Sequence, residues 1–190
     1  MTTQPLSIAV IVGSTRAGRF GPTVANWFVT QAQVRDDMAL DLVDLADVDL
    51  PPALPRQPSP SVQDYIARLD RADGFVVVTP EYNHGYPASL KQAIDVAYHE
   101  WQAKPVAFVS YGGTAGGLRA VEQLRQVFAE LHATTVRDTV SFHMAHTAFD
   151  AAGEPVDTSG CSTAAKSLLD QLAWWAAALR TARAVHPYSS

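Results

Sequence analysis

The chain has 190 residues, a length that suits one domain with a sizeable core. A hydrophobic content of 47% and a charged content of 17% are ordinary for a globular protein, and the net charge of -5 leaves no basic footprint for nucleic acid. No apolar run reaches the roughly 20 residues of a membrane span. The single cysteine, Cys161, cannot form an internal disulfide, which suits a reducing cytoplasm. We therefore expect one cytoplasmic domain, residues 1–190, that binds neither nucleic acid nor membrane.

Apolar runs and helical patterns alternate along the chain. Strands are predicted at residues 7–12, 39–44, 74–79, 105–110 and 135–144. Helices are predicted at residues 23–34, 61–71, 88–98, 118–131 and 162–183. The stretch between residues 145 and 158 is expected to be a surface excursion. Alternation of this kind predicts a parallel sheet with helices on both faces.

Apolar stripes assign the buried faces of two helices. In the first helix the stripe consists of Val24, Trp27, Phe28 and Ala32. In the last helix it consists of Leu168, Leu172, Trp175 and Leu179. Trp174 points elsewhere and is expected to be exposed or to lie at an interface. Ser61 is the expected N-cap of the second helix.

Three loops follow the carboxyl ends of predicted strands. They are loop 1 (residues 13–22), loop 2 (residues 80–87) and loop 3 (residues 110–117), and all are rich in glycine, proline or polar side chains. In open parallel sheets, ligands bind beyond the carboxyl ends of the strands. The sequence therefore predicts a binding site formed by these three loops.

Loop 1 carries the parts of a phosphate site. Gly13 and Gly18 permit tight backbone geometry, Ser14 and Thr15 offer hydroxyl groups, and Arg16 offers a planar fork of donors. The helix that follows would present free N–H groups. The loop lacks both the Gly-Lys-Ser/Thr ending of nucleoside triphosphate sites and the glycine spacing of dinucleotide sites. It predicts a monophosphate site, and the alternative is a plain turn with solvent-facing arginines.

Three motifs occur in order along the chain. They are Gly-Ser-Thr-Arg at residues 13–16, Pro-Glu-Tyr-Asn at residues 80–83 and Ser-Leu-Lys-x-x-x-Asp at residues 89–95. Together they resemble the NAD(P)H-dependent FMN reductases, from the first strand to the start of the fourth helix. The resemblance implies an α/β flavodoxin-like three-layer sandwich with a five-stranded parallel sheet in the order 2-1-3-4-5.

The resemblance also implies FMN as cofactor and NADPH or NADH as hydride donor. Ser14 and Arg16 correspond to the phosphate ligands, residues 80–83 to the segment along the flavin ring, and residues 110–113 to the third flavin loop. The complete set of implied cofactor-binding residues is Ser14, Arg16, Gly18, Arg19, Phe20, Gly21, Pro80, Glu81, Tyr82, Asn83, Ser110, Tyr111, Gly112 and Gly113.

The implied reaction passes a hydride from nicotinamide to flavin N5 and then to a flavin, quinone, azo or similar acceptor. It needs no side-chain acid or nucleophile, so no catalytic residue is predicted. No metal ligand is predicted either, because His143 and His146 have no cysteine or carboxylate pair of metal-ligand spacing nearby. Two alternatives remain open, a flavodoxin-type electron carrier and an FMN-binding protein that is not an enzyme. Arg119, beside loop 3, is a candidate reader of a 2′-phosphate.

The chain departs from the family pattern at two positions. Many relatives carry serine and asparagine where this chain has Arg19 and Gly21, so their side-chain contacts to phosphate differ here. The resemblance further implies a homodimer or tetramer. The residues expected near the subunit seam are Tyr86, Lys91, Asp95 and Trp101.

Overall fold

One parallel sheet organises the chain, in a computed structural model that describes residues 4–189. Its five strands are β1 (Leu6–Val12), β2 (Met38–Asp44), β3 (Gly74–Pro80), β4 (Pro105–Tyr111) and β5 (Thr134–Phe142). Their order is β2-β1-β3-β4-β5, and every neighbouring pair is parallel. The order implied by the resemblance is confirmed.

Helices cover both faces of the sheet. They are α1 (Gly21–Gln33), α2 (Pro60–Arg71), α3 (Ala88–Asp95), α4 (Leu118–Glu130), α5 (Ala145–Ala148) and α6 (Thr158–Val185). α1 and α6 share one hydrophobic cluster with the sheet, and α2, α3 and α4 share the other. No helix among the described residues is long and apolar enough to cross a membrane.

The strands divide their side chains between the two clusters because successive residues point to opposite faces. In β1, Ile8, Val10 and Val12 pack on the α1 side, whereas Ala9 and Ile11 pack on the other. β3 and β4 are buried along their whole length, as expected for central strands of a covered parallel sheet. Their carboxyl ends lie at one edge, where loops 2 and 3 begin.

The second helix starts one residue earlier than predicted, and its cap is Ser59 rather than Ser61. Ser59 Oγ accepts a hydrogen bond from Val62 N at 3.3 Å. Pro60 suits the first helical position, since it needs no N–H partner there. The Ser61 hydroxyl instead accepts from Asp49 N at 3.0 Å, which ties the helix to the preceding loop.

The third helix is shorter than predicted and ends at Asp95. A 3-10 turn, His99–Trp101, follows it. Trp101 is fully buried against Phe75 and Phe128, and its Nε1 donates to Ile94 O at 3.1 Å. The prediction that Trp101 lies near a subunit seam is therefore wrong, because this side chain belongs to the core.

The last helix starts four residues before its predicted position, where the Asp157 side chain accepts from Gly160 N. Trp174 is 65% exposed, as predicted, but Trp175 is 39% exposed and is not in the core stripe. The buried residues of α6 are Ala165, Leu168, Leu169, Leu172 and Ala176. Small Ala176 takes the sheet-facing position that the stripe had assigned to Trp175. The predicted buried stripe of α1 is confirmed.

Candidate functional site

A cavity of about 260 Å³ opens where loops 1, 2 and 3 meet the segment after β5. Its lining residues are Arg16, Phe20, Pro80, Glu81, Tyr82, Tyr111, Gly112, Gly113, Met144, Ala145, His146 and Thr147. All lining residues that precede Met144 in the chain belong to the set of cofactor-binding residues that the family resemblance implied. The loops converge because the carboxyl ends of parallel strands share one edge of the sheet.

Loop 1 offers unpaired donors beside this cavity, which its Arg16 and Phe20 line. Arg16 is exposed and forms no ion pair with any described residue. Within residues 4–189, the backbone N–H groups of residues 14–18 have no acceptor. Gly18 has a φ of +66°, which few other residues adopt, and open space surrounds it. Within the described range, no side chain caps the N-terminus of α1, and uncapped N–H groups at a helix start are suited to an anion.

Arg19 contributes to loop 1 in an unexpected way. Its Nη2 pairs with the Asp44 carboxylate at the end of β2, which fastens the loop to the neighbouring strand. Its Nε is buried and has no acceptor among the described residues. A buried donor without a partner costs free energy. Arg19 does not line the cavity, so the fit to a phosphate group depends on the exposed Arg16 and on the N–H groups of residues 14–18 that are unpaired within residues 4–189.

Tyr111 and Tyr82 support loop 1 from below. A Cβ added at Gly21 would lie 3.0 Å from Tyr111 Oη and 3.0 Å from Val12 Cγ1, so only glycine allows this approach without a shift. Burial, with the nearby Tyr82, raises the pKa of Tyr111 and keeps its hydroxyl protonated. Ser14 is fully buried and shares a 2.6 Å hydrogen bond with the Tyr82 hydroxyl, so its own hydroxyl does not line the cavity.

Loop 2 forms a tight turn that uses part of its backbone internally. Tyr82 N donates to Gly85 O at 2.8 Å, and Glu81 N donates to Tyr111 O at 3.0 Å. Asn83 and His84 have positive φ values of 49° and 73°. Asn83 does not line the cavity. The backbone N–H groups of Glu81 and Tyr82 are therefore already paired within the protein.

Loop 3 is held open by side chains beneath it. Ser110 Oγ and Ser141 Oγ donate to Gly116 O at 2.8 and 2.7 Å, and His143 Nδ1 lies 2.7 Å from Thr114 O. Ser110 thus supports the loop and does not line the cavity. The N–H of Gly113 has no acceptor in the part of the chain that the structure describes, which leaves it free for a ligand.

The fourth wall, residues 144–147, was missed by sequence reasoning. Met144 N donates to Gly113 O and Ala145 N to Gly112 O, both at 2.9 Å. These bonds seat the start of α5 against loop 3. The segment also follows the carboxyl end of a strand, so the rule that selected the other three loops would have found it. Residues 145–147 fall in the stretch that the sequence predicts to be a surface excursion, because only one helix follows it.

Gly113 offers a direct test of what the cavity holds. A Cβ added there meets nothing within 4 Å, so Gly113→Ala should leave the free energy of unfolding within about 0.5 kcal/mol of wild type. If a flat ligand lies against this glycine, the added methyl group should weaken FMN binding. Equilibrium unfolding and a fluorescence titration with FMN measure the two effects. Unchanged FMN affinity would remove Gly113 from the site.

The sheet order and a ligand-sized cavity at its carboxyl edge define a flavodoxin-like α/β protein. Among solved structures, the flavoenzyme NAD(P)H:(acceptor) oxidoreductase FerB from Paracoccus denitrificans matches with a TM-score of 0.72 at 24% identity. The match covers 91% of this chain and 98% of that one. At this identity the match shows the fold alone.

A family model described as NADPH-dependent FMN reductase matches residues 6–147, and the chain belongs to this family. An NAD(P)H-dependent FMN reductase of Schizosaccharomyces pombe is 41% identical over 129 residues, which cover 63% of this chain and 64% of the relative. A quinone reductase of Escherichia coli K12 is 33% identical over 138 residues, covering 68% and 73%. The match to the fission-yeast protein thus spans slightly less than two thirds of that relative.

Proposed function

We propose that this protein binds FMN and uses NADPH or NADH to reduce a flavin, quinone, azo or similar acceptor. The observation that carries the proposal is one cavity with two kinds of lining. Arg16, which has no ion-pair partner among the described residues, lines it beside N–H groups that are unpaired within residues 4–189, and Gly112 and Gly113 form part of its wall. Family membership and the names of the relatives support the same chemistry.

The chain's own residues would bind and orient the cofactor. Arg16 and the N–H groups of residues 15–18, which have no acceptor within residues 4–189, would hold the phosphate. Gly113 N–H would donate to the polar edge of the ring, and Phe20 would pack beside it. When bound, FMN supplies hydride-accepting chemistry at its ring. Positioning would be the protein's contribution, since hydride transfer to the ring needs no side-chain acid or base.

We also infer a homodimer or tetramer, as the family resemblance implies, and a cytoplasmic location, which the single cysteine suits. Lys91 and Asp95 form a partly exposed ion pair on α3 at 2.6 Å, and Tyr98 beside them is 45% exposed. These residues are available to a second subunit. Arg119 is paired with Glu81 at 2.8 Å, so it carries no argument for NADPH over NADH.

An anaerobic reduction experiment tests the proposed function. Purified protein is loaded with FMN, freed of excess cofactor and mixed with NADPH or NADH. We expect the visible flavin absorbance to bleach, and steady turnover when a quinone or ferricyanide is added. If neither nucleotide reduced the bound FMN, the protein would instead be an electron carrier. If the protein gave no turnover with a quinone or ferricyanide, it would be an FMN-binding protein that is not an enzyme.

A further inference from the structure

Loops 2 and 3 are joined by an ion pair. Glu81 directly follows β3, and its side chain is only 8% exposed. Arg119 lies in the first turn of α4, immediately after loop 3. Arg119 Nε contacts Glu81 Oε1 at 2.8 Å, while the backbone N–H of Arg119 donates to Glu81 Oε2 at 3.3 Å. Both oxygens of the Glu81 carboxylate therefore hold the start of α4.

The same arginine reaches the turn of loop 2. Its Nη1 lies 2.8 Å from His84 Nδ1, and the guanidinium must be the donor because it has no acceptor. Gln123, one turn further along α4, donates from Nε2 to His84 O at 2.9 Å. These bonds hold a turn in which Asn83 and His84 both have positive φ. α4 thus stabilises a turn of loop 2 whose positive φ values are uncommon for residues other than glycine.

The pair lies at the cavity wall rather than at a remote surface. Glu81 lines the cavity, and a Cβ added at Gly112 would lie 3.6 Å from Glu81 Cβ. A carboxylate that is almost fully buried is costly unless it is paired. Arg119 supplies that pairing, and at 47% exposure it keeps part of its own charge in solvent.

We propose that Glu81 and Arg119 are positioning residues that fix the spacing of loops 2 and 3 and balance the charge beside the flavin. The inference deepens the proposed function and rests on it for the effect on the flavin. Negative charge near the ring opposes its reduction, and positive charge favours it. The two residues therefore share one mechanical effect and have opposite electrostatic effects.

Hydrogen exchange in the FMN-free protein tests the mechanical effect. In Arg119→Gln, the amide groups of residues 82–85 should exchange about tenfold faster than in wild type, since the bonds from the arginine are lost. In Glu81→Gln the increase should be smaller, because one acceptor oxygen remains. Arg137→Gln is the matched control, since the Arg137 side chain is 92% exposed on β5. If the amide groups of residues 82–85 exchanged as slowly in Arg119→Gln as in Arg137→Gln, the proposal that the ion pair fixes the spacing of loops 2 and 3 would be overturned.

The midpoint potential of bound FMN tests the electrostatic effect. We expect a lower potential than wild type in Arg119→Gln, which removes the positive charge that balances the carboxylate, and a higher one in Glu81→Gln. A purely structural role would not give opposite signs, so equal potentials or shifts of the same sign would overturn the charge balance. If wild-type protein bound no FMN, the proposed function and the charge balance would both fail, and the exchange rates alone would decide the loop spacing.

Discussion

Replacing Arg16 by alanine should weaken FMN binding by about 1.5–3 kcal/mol, the range for a hydrogen bond to a charged group. This corresponds to a dissociation constant roughly 10- to 150-fold higher. Arg16 is the exposed guanidinium of loop 1, and it has no ion-pair partner among the described residues. Its loss should therefore cost binding without costing stability. Fluorescence titration with FMN measures the affinity, and equilibrium unfolding measures the stability.

Two further variants sharpen this prediction. Arg137→Ala removes a 92% exposed arginine from β5, and it should bind FMN as wild type does. Arg16→Lys keeps the charge but loses the planar fork, and it should fall between wild type and Arg16→Ala. An Arg16→Ala protein with wild-type affinity would exclude this residue from the phosphate site.

Replacing Trp101 by alanine should lower the free energy of unfolding by about 3–5 kcal/mol, as expected for a large buried aromatic residue. Trp101 has no exposed surface and packs edge-on against Phe75 and Phe128 at centroid distances of 4.6 and 5.4 Å. The substitution would also leave Ile94 O without its indole donor. Urea unfolding monitored by circular dichroism measures the change.

Trp174 provides the matched control, because it is 65% exposed on α6. Trp174→Ala should change the free energy of unfolding by less than about 1 kcal/mol, since it loses one ring contact to Trp175 and little buried area. Equal losses for the two substitutions would contradict the assignment of Trp101 to the core. If Trp101→Ala weakened only the association of subunits and left the free energy of unfolding of the monomer unchanged, Trp101 would instead lie at a subunit interface.

The sheet and its binding edge could be predicted from the sequence because their signals are local. β3 is one uninterrupted apolar run, and loop 1 places two glycines, two hydroxyl groups and an arginine within six residues. Such patterns define a strand or a phosphate loop without knowledge of the rest of the fold. They were sufficient to select most of the residues that line the cavity.

The features that escaped prediction depend on residues far apart in sequence. Arg19 pairs with Asp44, 25 residues away, and Glu81 with Arg119, 38 residues away. Neither pairing has a signal in the sequence, because the sheet alone brings the partners together. Trp175 was misassigned for a related reason. Helical periodicity marks a stripe, but the packing of α6 against the sheet decides which residue at its border is buried.

Crystals grown with FMN would test the central claim most directly. The account predicts phosphate density in loop 1, within hydrogen-bonding distance of Arg16 and of the backbone N–H groups of residues 15–18. The ring density should extend between loop 2 and Gly113. Phosphate density at another edge of the sheet, or a ring outside the cavity that Tyr111 and Gly112 line, would contradict it.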